Sequence, residues 1–253
     1  MSKLKGLAWL GLAAGIGVIA AVGLPRLARH IPWSVERRLA SLGDGLEDHV
    51  LCKDASGPSG LALAQLVRRL YPLSGEDREV PISIEVVKGE TVNAFATLGG
   101  RIYVYDGLLQ QAQSPEELAG VLAHEMEHVR QRHIIQGLVV SLVTWGGLKA
   151  IFQTGDNGAT HTLLSLSFSR EQEGEADEGG LERLRSASID ASGFARFFER
   201  ARKMASAPAI LSSHPSDEDR AARAARFTGY PTRPVLTEEQ WRALRAICKP
   251  QAP

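Results

Sequence analysis

Residues 114–128 read SPEELAGVLAHEMEH and hold the strongest structural signal in this chain. Ser114 stands at the N-cap position of a helix, Pro115 at its first position and Glu117 at its third. This arrangement is a capping box with the favoured proline. It predicts a helix from Pro115 to about His133. Four apolar residues are predicted to form its buried face: Leu118, Val121, Leu122 and Val129.

The predicted helix contains an HExxH motif, with His124 and His128 four residues apart and Glu125 between them. Histidines at this spacing lie on one face of a helix, so both rings can reach the same metal ion. Glu125 lies on the adjoining face, where its carboxylate can take a proton from a water molecule that the metal activates. The alternative is a surface helix with two hydrogen-bonded histidines. The match between the motif and an independently predicted helix favours metal binding.

A catalytic zinc ion usually takes three protein ligands and keeps one position open, so a third ligand is needed. His133 lies off the required helix face, and we expect it to be a structural histidine at the surface. The acidic run from Ser169 to Asp177 places Glu173 and Asp177 on one helix face. One of the two can bind the metal while the other orients a histidine. The alternative is a solvated acidic helix.

The HExxH motif together with the later run from Phe168 to Asp177 resembles the M48 family of zinc metallopeptidases. That family pairs HExxH with an ExxxD motif on a following helix. The resemblance implies that Glu173 is the third zinc ligand and that Asp177 supports the site from behind the ligands. Glu171 and Glu175 have the wrong register for the motif. The similarity extends over about residues 82–223 and includes the stretches at 93–96 and 214–220.

The resemblance gives His214 and Arg220 possible places near the metal. His214 can fill the open metal position, steady an oxyanion or cap a helix at Ser216. Arg220 can neutralise carboxylates near the site, hold developing negative charge or form a structural salt bridge.

Residues 91–98 and 101–105 flank Gly99-Gly100 and predict a hairpin beside the metal. An edge strand there would accept a polypeptide substrate in extended conformation by main-chain hydrogen bonds. An ordinary core hairpin is the alternative, and both can hold. Four residues form this predicted edge: Asn93, Ala94, Phe95 and Ala96.

The N-terminus departs from the globular pattern, because residues 7–24 carry no charged side chain. As a helix, this segment reaches about 27 Å, enough to span the hydrocarbon core of a membrane. We expect an N-terminal membrane anchor helix; a cleaved signal peptide and a buried core helix are the alternatives. Lysines before the segment and arginines after it leave the orientation open. We favour a catalytic domain on the periplasmic side of a bacterial inner membrane.

Composition excludes several classes of protein. The 253 residues include 29 basic and 29 acidic side chains, so the basic excess of a nucleic-acid binder is missing. No glycine-rich phosphate loop is present, so the sequence does not support nucleotide hydrolysis. The two cysteines, Cys52 and Cys248, are too few for a disulfide framework. They flank the folded region and can pair in an oxidising compartment, or they are two unrelated thiols.

These observations predict an α+β fold, mainly helical, with a zincin-like metallopeptidase domain and a small antiparallel sheet. We divide the chain into an anchor (1–24), a connector (25–60), a peptidase domain (61–230) and a C-terminal tail (231–253). Further elements are expected as a strand at 81–87 and helices near 33–42, 61–70, 137–152, 163–186, 191–204 and 238–247.

The predicted function is that of an endopeptidase with one Zn²⁺ per chain. The resemblance implies that it hydrolyses misfolded or unassembled proteins at a membrane, as a quality-control protease. Multi-span members of the family would need several long apolar runs, so the single-anchor branch fits better. One alternative is a membrane-anchored, chaperone-like binder with a latent zinc site. The other is a structural membrane protein without metal.

Overall fold

The computed structural model describes residues 23–24, 26–41, 51–52, 56–72, 79–144, 168–204, 206–214 and 220–249. The described part is mainly helical, with a three-stranded sheet, as the α+β prediction requires. The strands are β1 (Ser83–Val87), β2 (Ala94–Ala96) and β3 (Arg101–Tyr105). The helices are α1 (Trp33–Ser41), α2 (Pro58–Leu70), α3 (Asp106–Gln111), α4 (Pro115–Arg130), α5 (His133–Thr144), α6 (Arg170–Ser186), α7 (Ser192–Arg202), α8 (Ala209–Ser213), α9 (Arg220–Ala225) and α10 (Glu238–Arg245).

Helix α4 is the centre of the core. Its start is the predicted one, because the Ser114 side chain accepts a hydrogen bond from the Glu117 amide and Pro115 takes the first position. Every residue from Glu117 to Val129 is buried, so α4 is enclosed on all sides rather than along one stripe. It packs against α6, α7 and β2. A helix enclosed in this way places its polar residues inside the protein, including the whole HExxH motif.

Two glycines allow neighbouring helices to approach α4 closely. A Cβ atom added at Gly120 would lie 2.8 Å from the Cβ of Phe194 on α7. One added at Gly180, on α6, would lie 3.1 Å from the backbone nitrogen of His124. Such separations are shorter than ordinary van der Waals contact. The close approach at Gly180 brings the acidic face of α6 against the histidines of α4.

The sheet is mixed, which corrects the predicted antiparallel arrangement. Its order is β1-β3-β2, with β1 parallel to β3 and β2 antiparallel to it. The β2–β3 pair is the predicted hairpin, and its turn contains Leu98–Gly100. Gly99 and Gly100 both have positive φ there, a conformation that favours glycine. The hairpin occupies one edge of β3, so the other edge is left for β1, which pairs there in the parallel direction.

Several helix boundaries differ from the predicted ones. Helix α4 ends at Arg130, and a break separates it from α5, which starts at His133. Arg132 in this break has φ 64°, which a continuing helix does not allow. Helix α6 starts at Arg170 behind a capping box formed by Ser169 and Gln172. The predicted helical residues 163–167 and 145–152 lie outside the described residues.

Helix α1 is fixed to the core through one buried carboxylate. Glu36 accepts a hydrogen bond from the Gly99 amide at 2.9 Å and pairs with Arg132 at 2.8 Å. The Arg132 guanidinium also lies over the ring of Trp33, 3.7 Å from its centroid. These contacts hold α1 against both the hairpin turn and the break between α4 and α5.

None of the helices in the described part of the chain combines the length and hydrophobicity that crossing a membrane requires. Residues 1–22 lie outside the described residues. The anchor at 1–24 therefore stays a prediction.

Cys52 and Cys248 form a disulfide, as one of the two sequence interpretations expected. Cys52 lies beside β1, since its amide donates to the Val86 carbonyl. Cys248 follows α10, which buries Trp241 and Leu244 and packs against α2. The bond closes a loop with a sequence separation of 196 residues. It joins the segment that follows α1 to the end of the described chain.

Removing this disulfide should lower the stability of the fold. Closing a long loop restricts the unfolded chain, and losing that restriction costs about 2–5 kcal/mol. We expect Cys52→Ser, Cys248→Ser and the double variant to lower the thermal midpoint equally, by roughly 4–20 °C. Circular dichroism melting with and without a reductant measures the effect. A wild-type midpoint that does not move on reduction would contradict this expectation.

Candidate active site

Four buried side chains from three parts of the chain converge on one point: His124 and His128 from α4, Glu173 from α6, and His214 directly after α8. The His124 Nε2 atom lies 3.0 Å from His128 Nε2 and 3.2 Å from His214 Nδ1. The Glu173 carboxylate lies 3.5 Å from each α4 histidine and 3.1 Å from His214 Nδ1. Each residue thus directs one ligand atom to a common centre.

The donor set fits a tetrahedral metal ion. Bonds of about 2.0–2.1 Å to four ligands place neighbouring ligand atoms roughly 3.3 Å apart. The measured separations of 3.0–3.5 Å lie around that value. Imidazole nitrogens and a carboxylate are ligands that zinc accepts. Burial holds the pKa of His128 well below its usual value, which keeps the ring neutral, as a metal ligand must be.

Glu125 lies at the side of this cluster and is fully buried. Its Oε2 atom accepts a hydrogen bond from the Ala96 amide of β2 at 3.0 Å. Its Oε1 atom lies 3.2 Å from His214 Nε2. Burial raises the pKa of the Glu125 carboxyl, although His214, His124 and the Ala96 amide oppose the rise. A carboxyl whose pKa is raised towards neutrality is suited to both accepting and returning a proton.

Asp177 lies behind His124, on the side away from the common centre. Its Oδ1 atom lies 3.0 Å from His124 Nδ1, on the ring edge opposite the common centre. Its Oδ2 atom accepts hydrogen bonds from Arg220 at 2.8 Å and from Arg223 at 3.1 Å. Burial alone would raise the pKa of Asp177, but His124 and Arg220 lower it by more. Asp177 is therefore a charged carboxylate inside the protein.

Arg220 is buried between Glu173 and Asp177 of α6. Besides its bond to Asp177, it donates to the Glu173 carboxylate at 3.1 Å. Its guanidinium lies over the ring of Phe198, 4.1 Å from the centroid. Burial alone would raise the pKa of Glu173, but hydrogen bonds with His128 and His214 lower it below its usual range. Of the roles foreseen for Arg220, the geometry favours neutralising these carboxylates.

His133 is not the surface histidine that the sequence predicted. It is fully buried, and its Nδ1 atom lies 2.9 Å from Nδ1 of His128. Its Nε2 atom lies 3.1 Å from the Glu175 carboxylate. The prediction was wrong because it extended α4 through His133, whereas the break at Arg132 turns the ring back towards His128. Glu175, set aside as out of register, contacts the site through this histidine.

The predicted edge strand lies beside the cluster but is covered. Ala94, Phe95 and Ala96 are all buried, and α8 packs against β2. The Ile210 amide of α8 donates to the Val92 carbonyl, and Ser213 Oγ lies 3.3 Å from Asn93 Oδ1. The segment that carries His214 therefore also covers the edge at which a substrate would pair.

Comparison with known proteins identifies the group to which this arrangement belongs. The sequence profile of Peptidase family M48 matches residues 61–228. The chain belongs to peptidase family M48. Membership confirms the resemblance and the predicted enzyme class, since relatives in the family are named metalloendopeptidase and metalloprotease.

Three relatives are each about 30% identical to this chain over part of their length. The putative beta-barrel assembly-enhancing protease of Vibrio cholerae is 31% identical over 167 residues, covering 58% of this chain and 34% of that protein. The mitochondrial metalloendopeptidase OMA1 of Schizosaccharomyces pombe is 30% identical over 175 residues, covering 64% and 51%. The metalloprotease LoiP of Escherichia coli is 31% identical over 153 residues, covering 56% and 60%. The chain spans less than two thirds of each relative, so the similarity concerns a shared region.

The carboxylate of Glu173 should be necessary for metal binding. In Glu173→Gln the anionic ligand is lost and Arg220 loses one of its two carboxylate partners, so we expect less than about a tenth of the wild-type metal content. Elemental analysis of the purified protein measures this. Glu171→Gln on the exposed face of α6 is the matched control and should keep the full content. Equal metal in both variants would contradict the assignment of Glu173.

Proposed function

We propose that this chain is a zinc-dependent endopeptidase in which His124, His128 and Glu173 hold the metal and Glu125 is the catalytic base. The position of Glu125 carries the proposal. Its carboxylate is buried beside the ligand cluster, with one oxygen held by the Ala96 amide and the other 3.2 Å from His214 Nε2. A carboxylate bound there by a main-chain N–H is positioned for proton transfer and is not needed as a ligand.

A bound zinc ion would polarise the peptide carbonyl and lower the pKa of a water molecule. Glu125 takes the proton from that water as it attacks and then delivers it to the leaving amine. The Ala96 amide holds one carboxylate oxygen, and the other oxygen, which lies 3.2 Å from His214 Nε2, is the one left to take the proton. Asp177 and Arg220 keep His124 and Glu173 in place and balance their charge.

The proposed substrate is a polypeptide in extended conformation, bound along β2. The main-chain groups of Asn93 and Thr97 face β3. The Asn93 carbonyl accepts a hydrogen bond from the Tyr105 amide, and the Thr97 amide donates one to the Arg101 carbonyl. By alternation, the main-chain groups of Ala94 and Ala96 face the other edge, towards Glu125. A substrate paired at that edge would place its backbone beside the base. Such pairing selects unfolded chains, because folded proteins already pair their own main-chain groups.

Misfolded or unassembled proteins at a membrane are the proposed natural substrates. Two relatives are named for beta-barrel assembly and for mitochondria, which supports work on proteins made for membranes. The uncharged residues 7–24 support a membrane anchor, with the catalytic domain on the periplasmic side of a bacterial inner membrane. The disulfide supports an oxidising compartment.

Glu125→Gln should separate metal binding from cleavage. The amide keeps the size of the side chain but cannot take a proton, so we expect full zinc content and a cleavage rate about 10²–10⁴-fold lower. Hydrolysis of fluorescently labelled unfolded casein, measured beside zinc content, tests this. Glu171→Gln again serves as the control. Undiminished cleavage by Glu125→Gln would exclude Glu125 as the base.

The alternative function, a chaperone-like binder with a latent zinc site, is favoured by one observation. His214 occupies the fourth corner of the ligand cluster, and α8 covers the substrate edge. A metal site with four protein ligands is closed in the manner of structural zinc sites. In this arrangement cleavage requires that His214 and α8 leave β2 and the metal.

His214→Ala decides between a closed peptidase and a permanent binder. Removing the fourth ligand should keep about one zinc per chain on the other three ligands and raise cleavage of unfolded casein at least several-fold. The control is Ser212→Ala, an exposed position of α8. If His214→Ala keeps its zinc but still binds unfolded casein without cutting it, the binder is the correct function.

A further inference from the structure

His133 has a place in the metal site that the catalytic mechanism does not use. It is fully buried, it is outside the group of four converging residues, and both of its ring nitrogens have polar partners. The partner on one side is His128, through Nδ1 of both rings at 2.9 Å. The partner on the other side is Glu175, whose side chain is 39% exposed. The ring thus bridges a ligand histidine and the protein surface.

The hydrogen bonds of this bridge allow one consistent arrangement of protons. His128 directs Nε2 to the common centre, so as a neutral metal ligand it carries its proton on Nδ1. That proton is donated to Nδ1 of His133, whose own proton must then be on Nε2. Nε2 faces the Glu175 carboxylate, a suitable acceptor. Along this path from the metal site to Glu175, each ring nitrogen of His128 and His133 therefore has one role, as metal ligand, donor or acceptor.

The two ligand histidines of α4 therefore have different supports. Behind His124 is the charged carboxylate of Asp177, held by two arginines. Behind His128 is a neutral imidazole, backed by the carboxylate of Glu175. Helix α6 supplies the carboxylate behind each of the two histidines, in addition to Glu173. Asp177 contacts His124 directly, whereas Glu175 contacts His133, which in turn contacts His128.

The break between α4 and α5 places His133 in contact with His128. In a continuous helix the residue five positions after His128 would be rotated roughly 140° away from it. Instead, Arg132 takes a left-handed conformation, which is uncommon for a residue other than glycine. Glu36 and the ring of Trp33 hold Arg132 in that conformation. His133 then starts α5 with its ring against His128.

We propose that His133 is a positioning residue for His128: it fixes the proton of His128 on Nδ1 and directs Nε2 to the metal, and Glu175 fixes His133 in turn. The inference rests on the proposed role of His128 as a metal ligand. Supports of this kind typically change metal affinity by about 10–100-fold when removed.

The test compares two replacements of His133 in the full-length protein. His133→Phe keeps the ring but removes the acceptor, and should weaken zinc binding about 10–100-fold in competition with a chelator of known affinity. His133→Asn offers a side-chain oxygen near the place of Nδ1 and should recover most of that loss. The Co²⁺-loaded His133→Phe protein should show a changed visible absorption spectrum, because the ligand field at the metal depends on how His128 is oriented.

Gln136→Leu is the matched control. Gln136 is also buried on α5, but it donates to the Gln131 carbonyl and lies outside the metal group. Its replacement should leave zinc affinity and the Co²⁺ spectrum unchanged. If His133→Phe binds zinc as tightly as the wild type, or weakens it no more than Gln136→Leu, the proposed role of His133 is wrong. A wild-type protein without zinc would instead overturn the proposed function itself.

Glu175→Ala provides a second variant in case His133→Phe does not fold. Glu175 is half-exposed, so its removal should not disturb the core. We expect about one zinc per chain, held up to about 10-fold less tightly, while Glu171→Ala matches the wild type. The melting temperature of the metal-free protein should be unchanged. Identical zinc affinity in Glu175→Ala and Glu171→Ala would exclude Glu175 from the support of His128.

Discussion

The close crossing of α4 and α6 is the contact on which the rest of the structure depends. It buries His124 and His128 of one helix against Glu173 and Asp177 of the other. Buried charges without partners would strongly destabilise the fold, so each carboxylate must reach an imidazole or a guanidinium. The helices come close enough because Gly180 presents no side chain at the crossing. The same helix crossing therefore forms the metal site and contributes to the stability of the core.

Another buried carboxylate, Glu36, connects two elements at the margins of the site. It contacts the turn that follows β2, and β2 supplies the amide that holds Glu125. It also contacts Arg132, the residue that places His133 beside His128. Burial raises the pKa of Glu36, and Arg132 and the Gly99 amide oppose that rise. Through this one side chain, α1 is fixed relative to both Glu125, the proposed base, and His133, the proposed support of His128.

The sequence predicted the local parts of this arrangement well. The cap at Ser114, the HExxH spacing and the pairing of Glu173 with Asp177 are short-range patterns, and the structure brings these residues together. The direction of β1 could not be predicted, because alternation of apolar residues shows which face is buried but not which neighbour a strand has. The burial of His133 depends on Arg132 in a left-handed conformation held by α1, about a hundred residues earlier in the chain. The sequence around residue 133 contains no pattern that would predict this long-range contact.

The disulfide gives the protein a particular tolerance to being cut. Cys52 and Cys248 enclose every residue of the metal cluster. A peptide bond hydrolysed between α5 and α6 would leave the HExxH helix on one fragment and Glu173 on the other. The two fragments would remain one covalent molecule, and the effective concentration of each at the other would stay high. A cut in this region can therefore break the continuity of the backbone without separating the residues of the metal cluster.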